Sequence, residues 1–221
     1  MPDALTFVSR EALVAVLKGC DWKHDLEKLH EETKPDFGLL TAVYASIGSN
    51  TFRAFRSKAD WGPSVVFRNW ACAELLHGKF AAFEQIDSNE QYRKWANICA
   101  RSLCSQWRPR LGDTLDHFRA LKLINLLAKG LCTVSPLWPE RYEKMIWHID
   151  VALDRYSLRP LSCLHIPDVD INWKTASMGA VKNKGTYLAI QNEIRKVCEE
   201  ADKPPIAYDF LAWNSQHSSV S

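Results

Sequence analysis

Four side chains in the second half of the sequence have the chemical types that a catalytic or ligand-binding site needs. Lys122 stands in a segment of helical periodicity, Asp154 follows an apolar approach, and Asp209 and Trp213 are four residues apart. A spacing of four residues puts two side chains on one face of a helix. A lysine acts as a nucleophile only where burial or positive neighbours lower its pKa from about 10.4. Taken alone, each residue also fits an ordinary role: a solvated charge, a helix cap, or an exposed acid beside a half-buried indole.

The composition indicates a folded chain of one ordinary domain, or of two smaller halves that share a cleft. The 221 residues are 47% hydrophobic and 24% charged, which argues against disorder and against a fibrous protein. No apolar run approaches the roughly 18 residues that cross a bilayer, and residues 1–10 lack the pattern of a secretory signal. The sequence therefore predicts a cytoplasmic protein without a membrane partner.

The seven cysteines are scattered, and no two of them have CxxC spacing. Such a pattern gives neither a disulfide framework nor the spacing of zinc ligands. We expect these cysteines to be small buried hydrophobes in a reducing compartment. We also expect the protein to use neither a metal nor another cofactor.

The basic residues are concentrated in one stretch, although the net charge of the whole chain is only +2. Between residues 93 and 129 there are eight basic residues and two acidic ones, which gives this stretch a net charge of +6. Such a run favours a face that binds phosphates, although many solvated helices carry similar runs. The eight are Arg93, Lys94, Arg101, Arg108, Arg110, Arg119, Lys122 and Lys129.

The spacing of apolar residues predicts an all-α fold. Glycine and proline are sparse, at 9 and 10 residues, and apolar side chains mostly recur three or four positions apart. Ser9 predicts the N-cap of a helix that ends at Gly19, and Ser88 predicts the start of a helix over 91–107 that breaks at 109–112. Further helices are predicted over 39–47, 65–76, 80–86, 185–201 and 208–213.

The most regular helical pattern runs over 114–131. Its apolar residues share one side of the predicted helix. On the opposite side, Lys122, Asn125 and Lys129 follow at i, i+3 and i+7, so we expect them to lie close together on one polar face.

This helix and the segments after it resemble a known family. The segment 122–129, followed by a proline-containing connection into 149–156, is similar to the catalytic core of the helix-hairpin-helix DNA glycosylases. Within that superfamily it most resembles the 8-oxoguanine glycosylase-like branch, which includes archaeal GO glycosylases and bacterial anti-phage glycosylases. The resemblance covers residues 115–160 and, more loosely, 185–213.

The resemblance implies an all-α fold of helix-hairpin-helix type, with two helical subdomains on either side of a base-binding cleft. One glycosylase-like domain would then cover 1–221, with an N-terminal helical part to about residue 90, a catalytic core over about 91–214 and a frayed tail over 215–221. The sequence departs from the family at the hairpin, because no GxG turn precedes Lys122 and only Gly112 is nearby.

The resemblance also implies roles for the four side chains. Lys122 would correspond to the lysine that opens the helix after the hairpin, and Asp154 to the aspartate that caps the next helix. Asp209 and Trp213 match the acid and indole that grip an extruded base in the archaeal enzymes. Lys122 could attack C1′ of the sugar and displace the base, or Asp154 could position a water while Lys122 only binds. Both routes need the same two groups, so both stay open.

The implied partner is double-stranded DNA that contains a modified base, bound by a monomer. Arg108, Arg110, Arg119 and Lys129 would contact the phosphates and make binding depend on salt. Two substrates are open: 8-oxoguanine, and the glucosylated hydroxymethylcytosine of phage DNA, which an aromatic-rich N-terminal part favours.

Two other classes of function fit the same residues. A non-catalytic helical module that binds nucleic acid would explain the basic run without a role for Asp154. A helical interaction protein would use Lys122 and Asp154 only as ordinary salt-bridge residues.

Overall fold

The structure is a computed structural model that describes residues 6–32, 38–52, 55, 62–133 and 144–214. Every regular element within these ranges is helical, which confirms the predicted all-α class for them. A kink interrupts the chain within Leu75–Lys79, where Gly78 has φ 95°, and two 3₁₀ turns cover Arg159–Cys163 and Met178–Ala180. The α-helices are α1 (Arg10–Gly19), α2 (Trp22–Glu32), α3 (Gly38–Ala45), α4 (Ser49–Phe52), α5 (Pro63–Glu74), α6 (Phe80–Glu84), α7 (Asn89–Leu111), α8 (His117–Thr133), α9 (Arg155–Leu158), α10 (Lys184–Glu200) and α11 (Pro205–Asn214).

Two helix starts follow from serine caps, as the sequence predicts. The Ser9 hydroxyl accepts a hydrogen bond from the backbone N–H of Ala12 at 3.3 Å, and α1 begins at the next residue. The Ser88 hydroxyl accepts from the N–H of Gln91 at 3.3 Å in front of α7. Each cap satisfies one backbone donor that the helix itself leaves without a partner.

The predicted break at 109–112 is wrong, because α7 continues through Pro109 to Leu111. The helix ends at Gly112, which has φ 68° and donates its N–H to the Arg108 carbonyl at 2.9 Å. A proline in a helix removes the hydrogen bond to the carbonyl four residues earlier. Here Pro109 is in the last turn of the helix, and the residue whose carbonyl loses this partner, Ser105, is exposed. The helix therefore ends where glycine permits a left-handed conformation.

Packing divides the chain into two compact units. The terminal unit combines Met1–Asp25 with Asp150–Ser221, and the central unit is Leu26–Ile149. Within the central unit, α7 packs against both α5 and α8. The predicted single domain with a catalytic core from about residue 91 stays a prediction. The tail predicted to be frayed, 215–221, lies outside the described residues.

The core of the central unit forms where α8 packs against α7 and α3. The predicted apolar side of α8 is buried at Leu123, Ile124, Leu127 and Leu131. Gly130 brings α8 close to α3, since a Cβ added there would lie 3.0 Å from the carbonyl oxygen of Ala42.

The core of the terminal unit forms where α1 packs against α10 and α11. Leu13 and Leu17 of α1 are completely buried. At the start of α1, the Arg10 guanidinium forms ion pairs with Glu193 and, at 2.6 Å, with Glu200 of α10. The hydrogen bonds to Glu200 and Glu193 raise the pKa of Arg10 above its ordinary value.

Candidate functional site

Asp154 caps α9 through a reciprocal pair of hydrogen bonds. Its Oδ1 accepts from the backbone N–H of Tyr156 at 2.8 Å and of Ser157 at 3.1 Å. The Ser157 hydroxyl in turn accepts from the N–H of Asp154 at 2.8 Å, which completes a capping box. The side chain is half-buried. The capping position that the resemblance implies for Asp154 is therefore present, and an ordinary N-cap has the same geometry.

Gln191 of α10 holds the segment that leads to Asp154. Its amide accepts from the N–H of Val151 at 3.0 Å and donates to the carbonyl of Val151 at 2.8 Å. The Gln191 side chain is buried, so both hydrogen bonds are shielded from water. Beside them the Asp150 carboxylate, which is also buried, pairs with Arg195 of α10 at 3.5 Å. The approach to Asp154 is thus fixed to α10 by side-chain contacts at two consecutive residues.

The helix capped by Asp154 packs against α11, which carries Asp209 and Trp213. The rings of Tyr156 and Trp213 meet edge to face, with centroids 5.8 Å apart and planes at 85°. Trp213 remains 47% exposed, and Asp209 is half-buried. The Arg155 guanidinium lies over the Tyr156 ring, 4.5 Å from its centroid. An acid, two aromatic rings and a cation are therefore grouped at the junction of α9 and α11.

Tyr208 links these two helices. Its hydroxyl is buried and donates to the carbonyl oxygen of Ser157 at 2.6 Å. Burial is the main reason why the pKa of Tyr208 lies well above its ordinary value. Interactions with Cys198 and Cys163 raise this pKa further, and the charges of Asp154 and Asp209 make the next largest contributions. Tyr208 thus stays protonated as a donor, and both carboxylates act on this one hydroxyl.

Lys122 lies within α8 rather than at its start. The helix begins at His117, so Lys122 is in its second turn, and the side chain is half-buried. This differs from the family pattern, in which the lysine opens the helix.

The predicted polar face of α8 is wrong for its middle member. Asn125 is only 2% exposed, and its Oδ1 accepts from the Tyr92 hydroxyl at 2.7 Å. The asparagine is buried because α7 covers that side of α8 and supplies a hydrogen-bond partner, which offsets the cost of removing the amide from water. Lys122 and Lys129 are both half-buried.

The four residues expected to contact phosphate differ in their surroundings. Arg108 and Arg110 are exposed near the end of α7, and Lys129 is half-buried on α8. Arg119 is exposed and pairs with Asp116 at 3.1 Å, so part of its charge is neutralised within the protein.

The structure brings together three of the predicted site residues. Asp154, Asp209 and Trp213 all belong to the terminal unit, on α11 or at the N-cap of α9. Lys122 belongs to the central unit, as do the four expected phosphate contacts. The pairing of Lys122 with Asp154 stays a prediction.

Two contributors to this site were missed from the sequence. Tyr156 follows Asp154 by two residues, and nothing in the sequence indicated its contact with Trp213. Gln191 left a readable signal, because it falls among Tyr187, Ile190 and Ile194 on the apolar side of α10. A polar residue inside an apolar stripe indicates a buried hydrogen bond.

Three of the seven cysteines are buried, as predicted, and the other four are half-buried. Burial raises the pKa of Cys99, Cys132 and Cys198 to about 12 in each case, so their thiols stay protonated. Among the described residues, His, Cys, Asp and Glu side chains form no group of three that could hold a metal ion. In the same part of the chain, no helix is both long enough and apolar enough to cross a membrane.

Comparisons of the chain with protein-family models, with curated proteins and with solved structures find no match.

Proposed function

We propose that the protein is a DNA N-glycosylase, which extrudes a modified base from the duplex and breaks its glycosidic bond to leave an abasic site. The observation that carries the proposal is the grouping at the α9–α11 junction, where Tyr156, next but one to Asp154, meets Trp213 at 5.8 Å. Cleavage beside an extruded base needs a carboxylate near the sugar and a flat surface for the base. The terminal unit supplies both from adjacent helices.

Each side chain has a distinct task in this scheme. The exposed face of Trp213 stacks on the extruded base, and Asp209, one helical turn earlier, accepts a hydrogen bond from an N–H group on the base edge. Positive charge develops on the sugar as the C1′–N bond breaks, and the Asp154 carboxylate stabilises it. Its N-cap hydrogen bonds hold this carboxylate in place before substrate arrives.

Lys122 enters the scheme by one of two routes. In the first, Asp154 positions a water and accepts its proton as the water attacks C1′; the C1′–N bond breaks, the base leaves and takes up a proton, and Lys122 only binds DNA. In the second, the neutral amine attacks C1′ and the C1′–N bond to the base breaks, while a proton passes from the attached amine to the departing base. Opening of the sugar ring then gives a Schiff base that permits strand cleavage. The helices α7 and α8 pack against each other and are joined through Gly112, which has a left-handed conformation. This arrangement is evidence in favour of a hairpin before Lys122.

The substrate that we favour is glucosylated hydroxymethylcytosine of phage DNA, which would make the protein an antiviral enzyme. Repair of 8-oxoguanine is the alternative. The decisive assay measures base release from duplexes carrying either base, with borohydride present to trap a Schiff base. Release from one substrate supports the proposal and names the substrate class. If neither base is released while DNA binding still depends on salt, the result supports the non-catalytic binding module instead.

A matched pair of variants separates chemistry from capping. Asparagine is as good an N-cap as aspartate, so Asp154→Asn keeps the cap and removes only the charge. The control is Asp116→Asn, since Asp116 also caps its helix, accepting from Phe118 and Arg119 at 3.0 Å. We expect base release to be lost in the first variant and kept in the second, with both melting like the wild type. Full activity in Asp154→Asn would assign Asp154 to capping alone.

Two further variants test the remaining roles. Lys122→Gln should abolish the trapped adduct if the lysine is the nucleophile, and normal trapping in that variant would exclude this role. Trp213→Ala should change the preference between the two substrates more than the affinity for unmodified DNA. If Trp213→Ala weakened binding to modified and to unmodified DNA equally, the result would contradict a role of Trp213 in holding the base.

A further inference from the structure

We infer that one exposed side of α7 binds the phosphate backbone of duplex DNA through three aligned cations, Lys94, Arg101 and Arg108, which we call the α7 stripe. The inference rests on the DNA-binding part of the proposed function and adds to it the surface that recognises the duplex. Of the three residues, only Arg108 was expected to contact DNA from the family resemblance.

The three cations are seven residues apart along one helix. Seven residues advance about 10.5 Å along the helix axis and return to the same side within about 20°. The three charges therefore form a nearly straight row about 21 Å long. Arg110, by contrast, lies about 200° around the helix from Arg108 and is not part of the row.

This row lies on the side of α7 opposite the core. The buried residues of α7 occupy the other side of the helix, and all three stripe residues are exposed. The side chains between them on the exposed side are neutral: Ile98, which is 37% exposed, and Ser105. The single acidic residue of α7, Glu90, lies one turn before Lys94 on the same side of the helix, and Glu74 of α5 accepts a hydrogen bond from Ser102, next to Arg101. Between Lys94 and Arg108, the helix itself carries no acidic residue.

The three charges are also not neutralised inside the protein. Within the described part of the chain, Lys94, Arg101 and Arg108 take part in no ion pair. Arg119 and Arg195 differ in this respect, since each has a carboxylate partner at 3.1 Å and 3.5 Å. Cations without an internal partner hold only mobile counterions, which a polyanion displaces.

Duplex DNA suits this row better than a membrane surface does. It carries one phosphate charge per about 1.7 Å of its axis, so phosphates are available to cations that are spaced about 10.5 Å apart along a helix. Arginine presents two parallel N–H groups to a phosphate, which gives two of the three positions defined geometry. A membrane surface would be expected to meet an apolar face beside the charges, and here the stripe offers only Ile98.

The test measures how the affinity for a short unmodified duplex depends on salt, by fluorescence anisotropy with the full chain. The stripe variant combines Lys94→Gln, Arg101→Gln and Arg108→Gln, all at exposed helix positions where glutamine has a similar helix propensity. The control removes the same charge from the terminal unit, as Lys174→Gln, Lys182→Gln and Lys184→Gln, three exposed lysines. Circular dichroism melting checks that both variants are folded.

Each phosphate contact contributes about −0.9 to the slope of log affinity against log salt. The stripe variant should therefore lose about 2.7 from the magnitude of that slope, and the control should keep the wild-type slope. Between about 50 and about 200 mM salt, the wild type should then lose about 40 times more affinity than the stripe variant does. Arg101→Lys, which keeps the charge, should retain the wild-type slope.

Three results would overturn the inference: an unchanged slope in the stripe variant, an equal loss in the control, or stripe-dependent binding to phosphatidylserine vesicles without stripe-dependent binding to DNA. Failure here is distinguishable from failure of the proposed function. If the wild type releases a base but the stripe variant keeps the wild-type slope, the inference about the stripe is refuted and the proposed glycosylase activity stands. If the stripe variant has a reduced slope but neither substrate releases a base, the DNA-binding surface stands and the proposed enzyme activity is refuted.

Discussion

Replacing Gln191 by leucine should destabilise the protein by about 2 to 6 kcal/mol. The substitution keeps the size of the side chain but removes the two hydrogen bonds to the backbone of Val151, at 3.0 Å and 2.8 Å. Removing one partner of a buried hydrogen bond costs about 1 to 3 kcal/mol, and there are two. For a urea dependence of about 2 kcal/mol/M, a loss of about 4 kcal/mol lowers the unfolding midpoint by about 2 M.

The assay is equilibrium unfolding in urea, followed by circular dichroism. Gln191→Glu keeps the acceptor for the Val151 N–H but removes the donor to the carbonyl and buries a carboxylate near Asp150. It should lose at least as much stability as Gln191→Leu. Glu199→Leu is the control on an exposed position of the same helix, with an expected change within about 0.5 kcal/mol. A loss below about 1 kcal/mol in Gln191→Leu would refute the idea that this amide holds the approach to Asp154.

Two further predictions concern the central unit. Gly130→Ala should lower the free energy of unfolding in urea by about 1 to 3 kcal/mol, because the new methyl group meets α3. Gly19→Ala is the control and should leave the free energy of unfolding unchanged, because no atom lies within 4 Å of the new Cβ. Equal effects of the two substitutions would contradict the close approach of α8 to α3. Burial, and then the charge of Arg101, lowers the pKa of His117 below 6.5, so the unfolded chain binds the proton more readily and stability should fall as the pH drops through 6.5. His117→Gln should remove this part of the pH dependence of the melting temperature, and an unaltered pH dependence would assign it to other groups.

Local signals in the sequence predicted most of the helices. The caps at Ser9 and Ser88, and the apolar side of α8, depend on neighbouring residues and were confirmed. The break expected at Pro109 was wrong because a proline near the end of a helix removes only one hydrogen bond, here the one to the carbonyl of the exposed residue Ser105. The burial of Asn125 could not be predicted, since it depends on a hydroxyl 33 positions earlier in the chain.

The candidate site was predictable in part, because some of its features depend only on residues that are close together in the sequence. A spacing of four residues is enough to put Asp209 and Trp213 on one helix face, and an apolar approach is enough to suggest a cap at Asp154. The contact of Tyr156 with Trp213, and the grip of Gln191 on Val151, join residues 40 or more positions apart. Such contacts depend on packing between helices, for which a single sequence has no local pattern.

The ion pairs of Arg10 have a consequence for the newly made chain. Arg10 is separated from Glu193 by 183 positions and from Glu200 by 190. At about 5 to 20 residues per second, a ribosome that has added Arg10 needs roughly 10 to 40 s to reach Glu200. During that interval Leu13 and Leu17 have no α10 or α11 to cover them, whereas all helices of the central unit are made before α10 begins. Premature termination before α10 would therefore leave an apolar α1 exposed, as a target for chaperones and proteases.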